Sequence, residues 1–340
     1  MDSEWLEELE LYTGCEETLD SKILSIARAI EKSKKVTILT GAGVSVQSGI
    51  PDFRSSNGIW KRYDPKKCGS LEYFKKNPTE FWKMSEELHN FKSKPSQAHK
   101  ALAELDTLNI NNTIITQNID GLHQAAGSKH VIEMHGTGKV CTCLNCDYIE
   151  FADKAVWNKP LPPSECIPRC PKCGGLIKLD VVMFGDRLNK EICDEAVEAS
   201  TDTDFLLVIG TSLKVAPCNT IPIRAKQIGA QVGFINCEKT ILDEFADYKL
   251  NGDLQEIVPK IVEKVKEIRE KRRNGFNRLL TFSFSVIFTV ATLILDLYNL
   301  TFDKNYSFSY TKKTDTPPQL GELVPLKRHS IPIHPESSVM

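Results

Sequence analysis

Four cysteines in two Cys-x-x-Cys pairs carry the strongest chemical signal in this sequence. The pairs are Cys143 with Cys146 and Cys170 with Cys173, and 23 residues separate them. Two such pairs, each on a turn, can place four thiolate sulfurs tetrahedrally around one Zn²⁺ ion. Because four sulfurs leave no open coordination position, we predict a structural zinc site that does not activate water. The alternative is a set of ordinary buried cysteines, and Cys141 and Cys166 are near enough to replace a ligand.

A second group of polar residues has the types needed for acid–base chemistry. Asn118 and Asp120 follow a predicted strand at Asn112–Thr116, and His135 follows another at 131–134. Ligand-binding groups of open α/β sheets gather just beyond the carboxyl ends of the strands, so these side chains are candidates for one site. Imidazole titrates near neutral pH and suits a general base, which is the role we predict for His135. In the simpler alternative His135 is structural, and Asn118 and Asp120 only form turns.

Residues 36–54, which read VTILTGAGVSVQSGIPDFR, indicate a nucleotide site. A short β-branched and aliphatic run leads directly into Gly41 and Gly43. Glycine lets the backbone turn sharply and bring its N–H groups close to a phosphate. A dehydrogenase fingerprint would place a third glycine where the chain has Val46, and the charged loop 50–54 follows instead. We therefore expect a dinucleotide site with chemistry attached. The alternative for the loop is a simple ion pair between its aspartate and its arginine.

The remaining pattern predicts an α/β fold. Apolar or β-branched runs predict strands at 36–39, 112–116, 131–134, 180–185, 205–209 and 231–235. Amphipathic stretches predict helices, the first of them capped by Asp20 or Ser21 and the last at 257–271. Strands that alternate with helices form a mostly parallel sheet with right-handed crossovers. We predict a Rossmann-like parallel sheet with helices on both faces, a helical insertion at about 60–95 and a small, loop-like zinc-binding domain at about 138–180.

Composition and charge narrow the class of protein. The 340 residues are 41% hydrophobic and 26% charged, which is an ordinary balance for a globular protein. The net charge of −2 gives no electrostatic basis for direct nucleic-acid binding, and we predict none. The first 17 residues are acidic and lack a basic region followed by an apolar core, so we predict neither a secretory signal nor a transit peptide. We predict an N-terminal arm at 1–19 and a catalytic domain at 20–270.

The C-terminal part of the chain changes character. Residues 279–295 contain no charge, and the apolar stretch extends to residue 300, which approaches the ~20 residues needed to cross a bilayer. Lysine and arginine residues just before it would place the catalytic domain on the cytoplasmic side, and a nuclear pool is left open. We predict a transmembrane anchor at 279–300 and a disordered tail at 301–340. The alternative is a buried helix or a tail unrelated to the work of the domain.

Together these motifs resemble the sirtuin family of NAD-dependent protein deacylases, and in particular its deacetylase branch. The matching stretches are GAGVSVQSGIPDFR (41–54), TQNIDGLH (116–123), HG (135–136), the two Cys-x-x-Cys pairs, VVMFG (181–185), GTSLKVAP (210–217) and Asn236. They occur in the family's order between about residues 20 and 265. The resemblance implies NAD as co-substrate, one structural Zn²⁺ and acylated lysines of proteins as substrates.

The resemblance also implies roles for individual residues. Catalytic roles fall to His135, Asn118 and Asp120. The implied NAD-binding residues are Gly41, Ala42, Gly43, Asp52, Phe53, Arg54, Gln117, Asn118, Ile119, Asp120, Gly210, Thr211, Ser212, Asn236 and Asp253. The substrate peptide would add as a strand beside Val182, Met183, Phe184, Gly185, Lys214 and Val215. Two differences from the family touch this strand, because Met183 replaces a common aromatic residue and Asp186 replaces the usual glutamate.

The implied reaction is NAD-dependent deacetylation of protein lysine. The acetyl group passes from lysine to ADP-ribose and nicotinamide is released, with His135 deprotonating a ribose hydroxyl. Alternatives that use the same site are ADP-ribosyl transfer to protein and removal of longer acyl groups. An alternative of another class is a membrane-anchored NAD-binding scaffold without turnover.

Overall fold

The computed structural model describes residues 18–302, with side chains for 18–275 and 286–295. The predicted N-terminal arm up to residue 17 and the predicted disordered tail from residue 303 lie outside the described residues. The chain divides into two units, Met1–Phe276 and Asn277–Met340, and both β-sheets belong to the first. The predicted boundaries of the arm, the catalytic domain and the tail stay predictions.

A six-stranded sheet organises the first unit. The strands of the described residues are β1 (Val36–Thr40), β2 (Asn112–Thr116), β3 (Val131–Glu133), β4 (Gly136–Cys143), β5 (Ile149–Phe151), β6 (Ile177–Val181), β7 (Phe205–Ile209), β8 (Gln231–Asn236) and β9 (Tyr248–Asn251). The large sheet has the order β3-β2-β1-β7-β8-β9, and every neighbouring pair is parallel. This is the strand order of a Rossmann fold, so the predicted parallel sheet is confirmed. The order reverses between β1 and β7, and ligands of such sheets bind where the order reverses.

Helices cover both faces of this sheet. Apart from short 3₁₀ and π segments, the helices of the described residues are α1 (Leu19–Lys32), α2 (Pro65–Cys68), α3 (Leu71–Lys76), α4 (Thr79–Asn90), α5 (Gln97–Thr107), α6 (Leu122–Ala126), α7 (Lys190–Thr201), α8 (Ile221–Gln227) and α9 (Leu254–Phe302). Side chains of β1 alternate between two apolar clusters. Ile38 packs with α1, α5 and α9, whereas Leu39 packs with α7 and α8. Each such fully buried aliphatic side chain stabilises the fold by about 1.5–3 kcal/mol. Because both faces are covered, all five residues of β1 are buried.

The zinc module is a second sheet rather than the loop that the sequence predicts. β4 pairs with β5 and β6 in antiparallel fashion to give three strands. β4 and β6 mix apolar with polar residues, and a proline-rich segment separates β5 from β6, so no uninterrupted apolar run marks these strands in the sequence. Cys141 lies fully buried in the core of this module, beside Phe74 and Trp82 of the helical insertion, and so behaves as an apolar core residue.

The helical insertion packs against the zinc module. Helices α2, α3 and α4 lie within the predicted range 60–95. Trp157 of the module stacks on His89 of α4 with ring centroids 4.1 Å apart, and it meets Trp82 edge-on at 6.0 Å. Glu86 of α4 accepts hydrogen bonds from the backbone N–H and the hydroxyl of Ser164. The insertion and the module therefore form one continuous wall beside the main sheet.

Two local predictions are wrong, and one strand is missing from the prediction. The strand predicted at 180–185 ends at Val181, and Phe184 beyond it makes only an isolated bridge with Ser70. Gly185 has a φ of +86°, a conformation that ends extended pairing. The cap of α1 is Thr18, whose hydroxyl accepts the backbone N–H of Ser21 at 3.2 Å, so neither Asp20 nor Ser21 caps the helix. β9 at the sheet edge is absent from the sequence prediction.

The predicted transmembrane segment is not supported either. Residues 279–300 lie within α9. A bilayer span requires ~20 consecutive apolar residues. In the part of the chain that the structure describes, no helix meets the combined requirement of length and apolar character. The predicted membrane anchoring therefore has no support in the structure.

Candidate active site

Two glycine-rich loops meet where the strand order reverses. The N–H of Gly43, after β1, donates to the carbonyl of Gly210, after β7, at 2.9 Å. A Cβ atom at Gly43 would lie 2.8 Å from the Cα of Gly210, and one at Gly41 would lie 2.6 Å from the Cβ of Thr211. No side chain fits at these distances, so glycine is needed for loop-to-loop contact. The predicted phosphate cradle is thus built from two backbone segments packed against each other.

Asn118 and Asp120 are joined through a third side chain. The amide nitrogen of Asn118 donates to the carbonyl of Gly41 at 3.1 Å and lies 3.2 Å from the hydroxyl of Ser45. That hydroxyl donates to a carboxylate oxygen of Asp120 at 2.7 Å. The structure therefore brings these predicted residues together at the ends of β1 and β2. Ser45 is absent from the sequence prediction, although its place four residues after Gly41 could have indicated it.

His135 lies beside this group with a defined tautomer. Its Nδ1 is 2.9 Å from the carbonyl oxygen of Gln117, which can only accept, so Nδ1 carries the proton and Nε2 the lone pair. Burial lowers the pKa of His135 below its ordinary value, and the hydrogen bond to Gln117 opposes this only in part. The ring is therefore neutral at physiological pH, as a general base must be.

The end of β8 adds a third polar region. The side chain of Asn236 forms two hydrogen bonds with the backbone of Thr211, accepting from its N–H at 2.9 Å and donating to its carbonyl at 3.1 Å. The hydroxyl of Thr211 accepts from the side chain of Gln117 at 2.8 Å, which links this region to His135. Gly252, just before Asp253, donates its N–H to the carbonyl of Asn236. The predicted NAD-binding residues at four strand ends thus form one connected edge.

The loop after β1 stands apart from this network. One carboxylate oxygen of Asp52 accepts the backbone N–H groups of Arg54 and Ser55, both at 2.9 Å. The ring of Phe53 packs on Trp60 with centroids 5.1 Å apart, and the side chain of Arg54 is exposed. Among the described hydrogen bonds, none joins Asp52 to Asn118 or His135. The Asp52 carboxylate therefore stabilises the backbone turn of its own loop and makes no described hydrogen bond to the strand-end residues.

The predicted substrate strand is fixed at both of its ends. The N–H of Val182 donates to the carbonyl of His135 at 2.8 Å. Phe184 exchanges backbone hydrogen bonds with Gly69 at 2.7 Å and with Leu71 at 3.1 Å, and its side chain is exposed. Met183 between them is buried. This segment therefore carries an exposed aromatic ring two residues beyond its backbone hydrogen bond with the candidate base.

A buried ion pair stabilises the turn that follows. The ammonium group of Lys178 lies 3.2 Å from a carboxylate oxygen of Asp186 and donates to the carbonyl of Val181 at 2.7 Å. The Lys178 side chain is 8% exposed, so its charge requires these partners. Asp186, one of the two differences from the family pattern, thus has a defined partner. The sequence does not indicate Lys178 as a site residue, because only the turn brings Asp186 close to it.

The other side of the predicted peptide site lies in the loop after β7. Lys214 is exposed and Val215 is half-buried. The carbonyl of Val215 accepts the N–H of Asn219, which turns the chain back into the domain. Among the described hydrogen bonds, none joins Lys214 or Val215 directly to the strand at Val182.

The four predicted zinc ligands converge. The Sγ atoms of Cys143, Cys146, Cys170 and Cys173 lie within 4.8 Å of one another. Two of the contacts are 3.5 and 3.6 Å. A tetrahedral zinc with Zn–S bonds of about 2.3 Å places its sulfurs about 3.8 Å apart. The donor set and its spacing therefore fit one structural Zn²⁺, as predicted.

Two buried histidines lie under the site. His123 is within 2.9 Å of the hydroxyl of Thr40, His99 is within 2.8 Å of the hydroxyl of Ser96, and the ring centroids are 4.7 Å apart. Thr40 bonds in turn to Thr116, whose hydroxyl accepts the backbone N–H of Asn118. Burial lowers the pKa of His99 to about 4, and burial with the neighbouring His99 lowers that of His123 to about 3. Both rings are neutral in the folded protein.

We expect these histidines to make the fold sensitive to acid. The unfolded chain binds their protons as pH falls below about 6.5, whereas the folded protein does not, so stability is present above pH 6.5 and is lost as pH falls toward 4. Each histidine should remove on the order of 2 kcal/mol between pH 6.5 and 5. Urea unfolding at both pH values measures this. His123→Gln should flatten the dependence, whereas the exposed His130→Gln should leave it unchanged; an equal slope in both variants would contradict the assignment.

Comparison with known proteins agrees with this architecture. Residues 41–217 match the Sir2 family. The chain is 44% identical over 244 residues to NAD-dependent protein deacetylase 1 of Pyrobaculum aerophilum, covering 71% of this chain and 94% of that protein. It is 41% identical over 260 residues to NAD-dependent protein deacylase 2 of Archaeoglobus fulgidus, covering 75% and 100%.

A solved structure gives the same result. The crystal structure of a Sir2 homologue in complex with NAD superposes with a TM-score of 0.66 at 37% identity, covering 72% of this chain and 94% of that one. The resemblance inferred from the motifs is therefore confirmed. The match includes the glycine loops, the candidate base and all four zinc ligands, and the chain belongs to the Sir2 family.

Proposed function

We propose that this protein is an NAD-dependent protein-lysine deacetylase that passes the acetyl group of lysine to ADP-ribose and releases nicotinamide. One observation carries the proposal. At the point where the sheet order reverses, Asn118, Ser45 and Asp120 form a hydrogen-bonded chain next to a neutral His135 with its lone pair on Nε2. An edge that only holds a dinucleotide needs no half-buried base of this kind.

The residues around this point suit NAD. Gly41 and Gly43 let the loop after β1 pack against Gly210 and Thr211, and we assign a diphosphate to the backbone N–H groups of these paired loops. We assign the phosphate and ribose side also to Ala42, Arg54 and the 210–212 loop, and the adenosine side to Asn236 and Asp253. NAD, when bound, supplies the ADP-ribosyl group that accepts the acetyl group.

The side chains beside the base hold and orient the reacting groups. We assign Gln117 and Asn118 to the nicotinamide ribose, and Ile119, Asp120, Asp52 and Phe53 to the nicotinamide pocket. His135 accepts the proton of a ribose hydroxyl at Nε2, while Gln117 keeps the ring in the required tautomer. Its lowered pKa keeps Nε2 free for this proton at neutral pH.

We assign the acetyl-lysine peptide to the region between residues 182–185 and residues 214–215. Val182, Met183, Phe184 and Gly185 would form one side, and Lys214 and Val215 the other. An added strand is recognised mainly through its backbone, so we expect modest selectivity for the peptide sequence. The exposed ring of Phe184 would cover the lysine stem.

Product analysis tests the proposed reaction. With an acetyl-lysine peptide and NAD, we expect deacetylated peptide, nicotinamide and O-acetyl-ADP-ribose in equal amounts. ADP-ribose attached to protein, without loss of acetyl groups, would show transferase activity instead. If NAD is not consumed, the alternative of an NAD-binding scaffold without turnover would be favoured. Because the two relatives carry the names deacetylase and deacylase, the same assay with longer acyl groups determines acyl preference.

We also propose that the catalytic domain works in a reducing compartment, with the cytoplasm as its main location. The ten cysteines of the described residues are all free thiols, and four of them form the zinc site. Thiolate zinc sites and unpaired thiols are typical of reducing compartments. A fluorescent fusion should therefore stay outside the secretory pathway, and its presence in the endoplasmic reticulum lumen would contradict the assignment.

A further inference from the structure

One contact of the candidate base remains without a role in the reaction. The Sγ atom of Cys218 lies 3.8 Å from Nε2 of His135, the nitrogen that carries the lone pair. Cys218 begins the 3₁₀ helix Cys218–Thr220, directly after the loop assigned to the peptide, and is 1% exposed. The two residues are 83 positions apart in the chain. The contact therefore comes from the fold and not from a local turn.

The chemistry of both groups sets the direction of this contact. His135 donates from Nδ1 to the Gln117 carbonyl, so Nε2 can only accept. Burial raises the pKa of the Cys218 thiol to about 12, so the sulfur keeps its proton at neutral pH. A thiol is a weak donor and 3.8 Å is a long but usable distance for sulfur. In this contact the thiol of Cys218 can only be the donor, and Nε2 of His135 the acceptor.

We propose that Cys218 is a positioning residue for His135: its thiol donates to Nε2 in the free enzyme and holds the imidazole neutral and in place until the ribose hydroxyl takes over the same lone pair. This inference rests on the proposed role of His135 as general base. The thiol forms no bond to substrate and loses no proton in the reaction, so it acts only through the histidine.

The inference makes a specific claim about how His135 titrates. The groups that face His135 are the Gln117 carbonyl at the end of β2, the Val182 N–H bonded to its own carbonyl, and the Cys218 thiol, with Cys193 of α7 near that thiol. A donor to Nε2 stabilises the neutral ring. Removing it should raise the pKa of His135 by about 0.5 unit, the size expected for a weak hydrogen bond.

A matched control separates this effect from packing. A cavity of about 50 Å³ next to Pro217 is lined by Cys193 and Met134. Cys193→Ala removes a thiol from the wall of this cavity, and Cys218→Ala removes a thiol close to it. Unlike Cys218, Cys193 makes no described contact with His135. A change caused by looser packing would appear in both variants, and a change caused by the hydrogen bond only in Cys218→Ala.

The experiment is an NMR titration of ¹³C-labelled histidine in the full chain, assigned with His135→Ala, together with the pH profile of kcat/KM. We expect Cys218→Ala to move the His135 titration and the acidic limb of the profile upward together, and Cys193→Ala to move neither. Superimposable titrations of wild type and Cys218→Ala, or equal shifts in both variants, would overturn the inference. If His135→Ala remained fully active, the proposed base would fail instead, which is a distinguishable result.

Discussion

Replacing His135 by alanine should lower kcat/KM for an acetyl-lysine peptide by a factor on the order of 10²–10⁴, the usual contribution of a positioned general base. The Gln117 carbonyl holds the ring with Nε2 available as the proton acceptor, and alanine removes this acceptor. The value of kcat/KM for each enzyme is obtained from the rates of nicotinamide release and of peptide deacetylation at saturating NAD.

The control for this variant is His130→Ala. His130 lies five residues earlier, is exposed and takes no part in the described site. It should keep wild-type kcat/KM, and both variants should keep the wild-type unfolding midpoint and zinc content. A His135→Ala enzyme with more than about a tenth of wild-type kcat/KM would exclude the histidine as general base.

Removing one zinc ligand should have the second large effect. Cys173→Ser leaves three thiolates for the ion, and we expect zinc content to fall from one per chain to near zero. Apparent binding free energies for structural zinc reach about 10–16 kcal/mol in small modules, as much as the whole stability of a typical domain. The four ligands join the two Cys-x-x-Cys turns at one end of the three-stranded sheet, so without zinc we expect this module to open to protease and activity to be lost.

Cys166→Ser is the matched control, because Cys166 belongs to the same module, is exposed and lies outside the four-sulfur cluster. It should retain zinc, protease resistance and activity. The measurements are metal content by mass spectrometry, limited proteolysis of residues 136–181 and turnover. Retention of stoichiometric zinc by Cys173→Ser, or its loss from Cys166→Ser, would show that the ligand set is wrong.

The sequence predicts the large sheet well because its strands are buried on both faces. β1 and β7 are uninterrupted runs of apolar and β-branched residues, and such runs are recognisable without knowledge of their partners. The zinc module has no comparable run. It brings Cys143 and Cys173 together across 30 positions, and β5 carries exposed Ile149 and Phe151, so local pattern alone predicts a loop. β9 was missed for a related reason, since it is a short edge strand.

The candidate site divides in the same way. Asn118, Asp120 and His135 were predicted because side chains after parallel strands must come to one edge. The groups that hold them are absent from the sequence prediction, because most of their contacts join residues far apart in the chain. Ser45 reaches Asp120 across 75 positions, Cys218 reaches His135 across 83, and the partner of the His135 ring is a backbone carbonyl, which has no signature in a sequence.

The bridge between Phe184 and the insertion has a thermodynamic consequence. Gly69 and Leu71 hold the backbone of Phe184, and they belong to the same insertion that begins at Ile59, whose N–H donates to the carbonyl of Asp52. The wall of the peptide site and the loop assigned to NAD are thus parts of one hydrogen-bonded segment. A ligand that orders this segment at one end changes the free energy of binding at the other end. Linkage then requires reciprocity: whatever factor NAD applies to the affinity for peptide, peptide applies to the affinity for NAD.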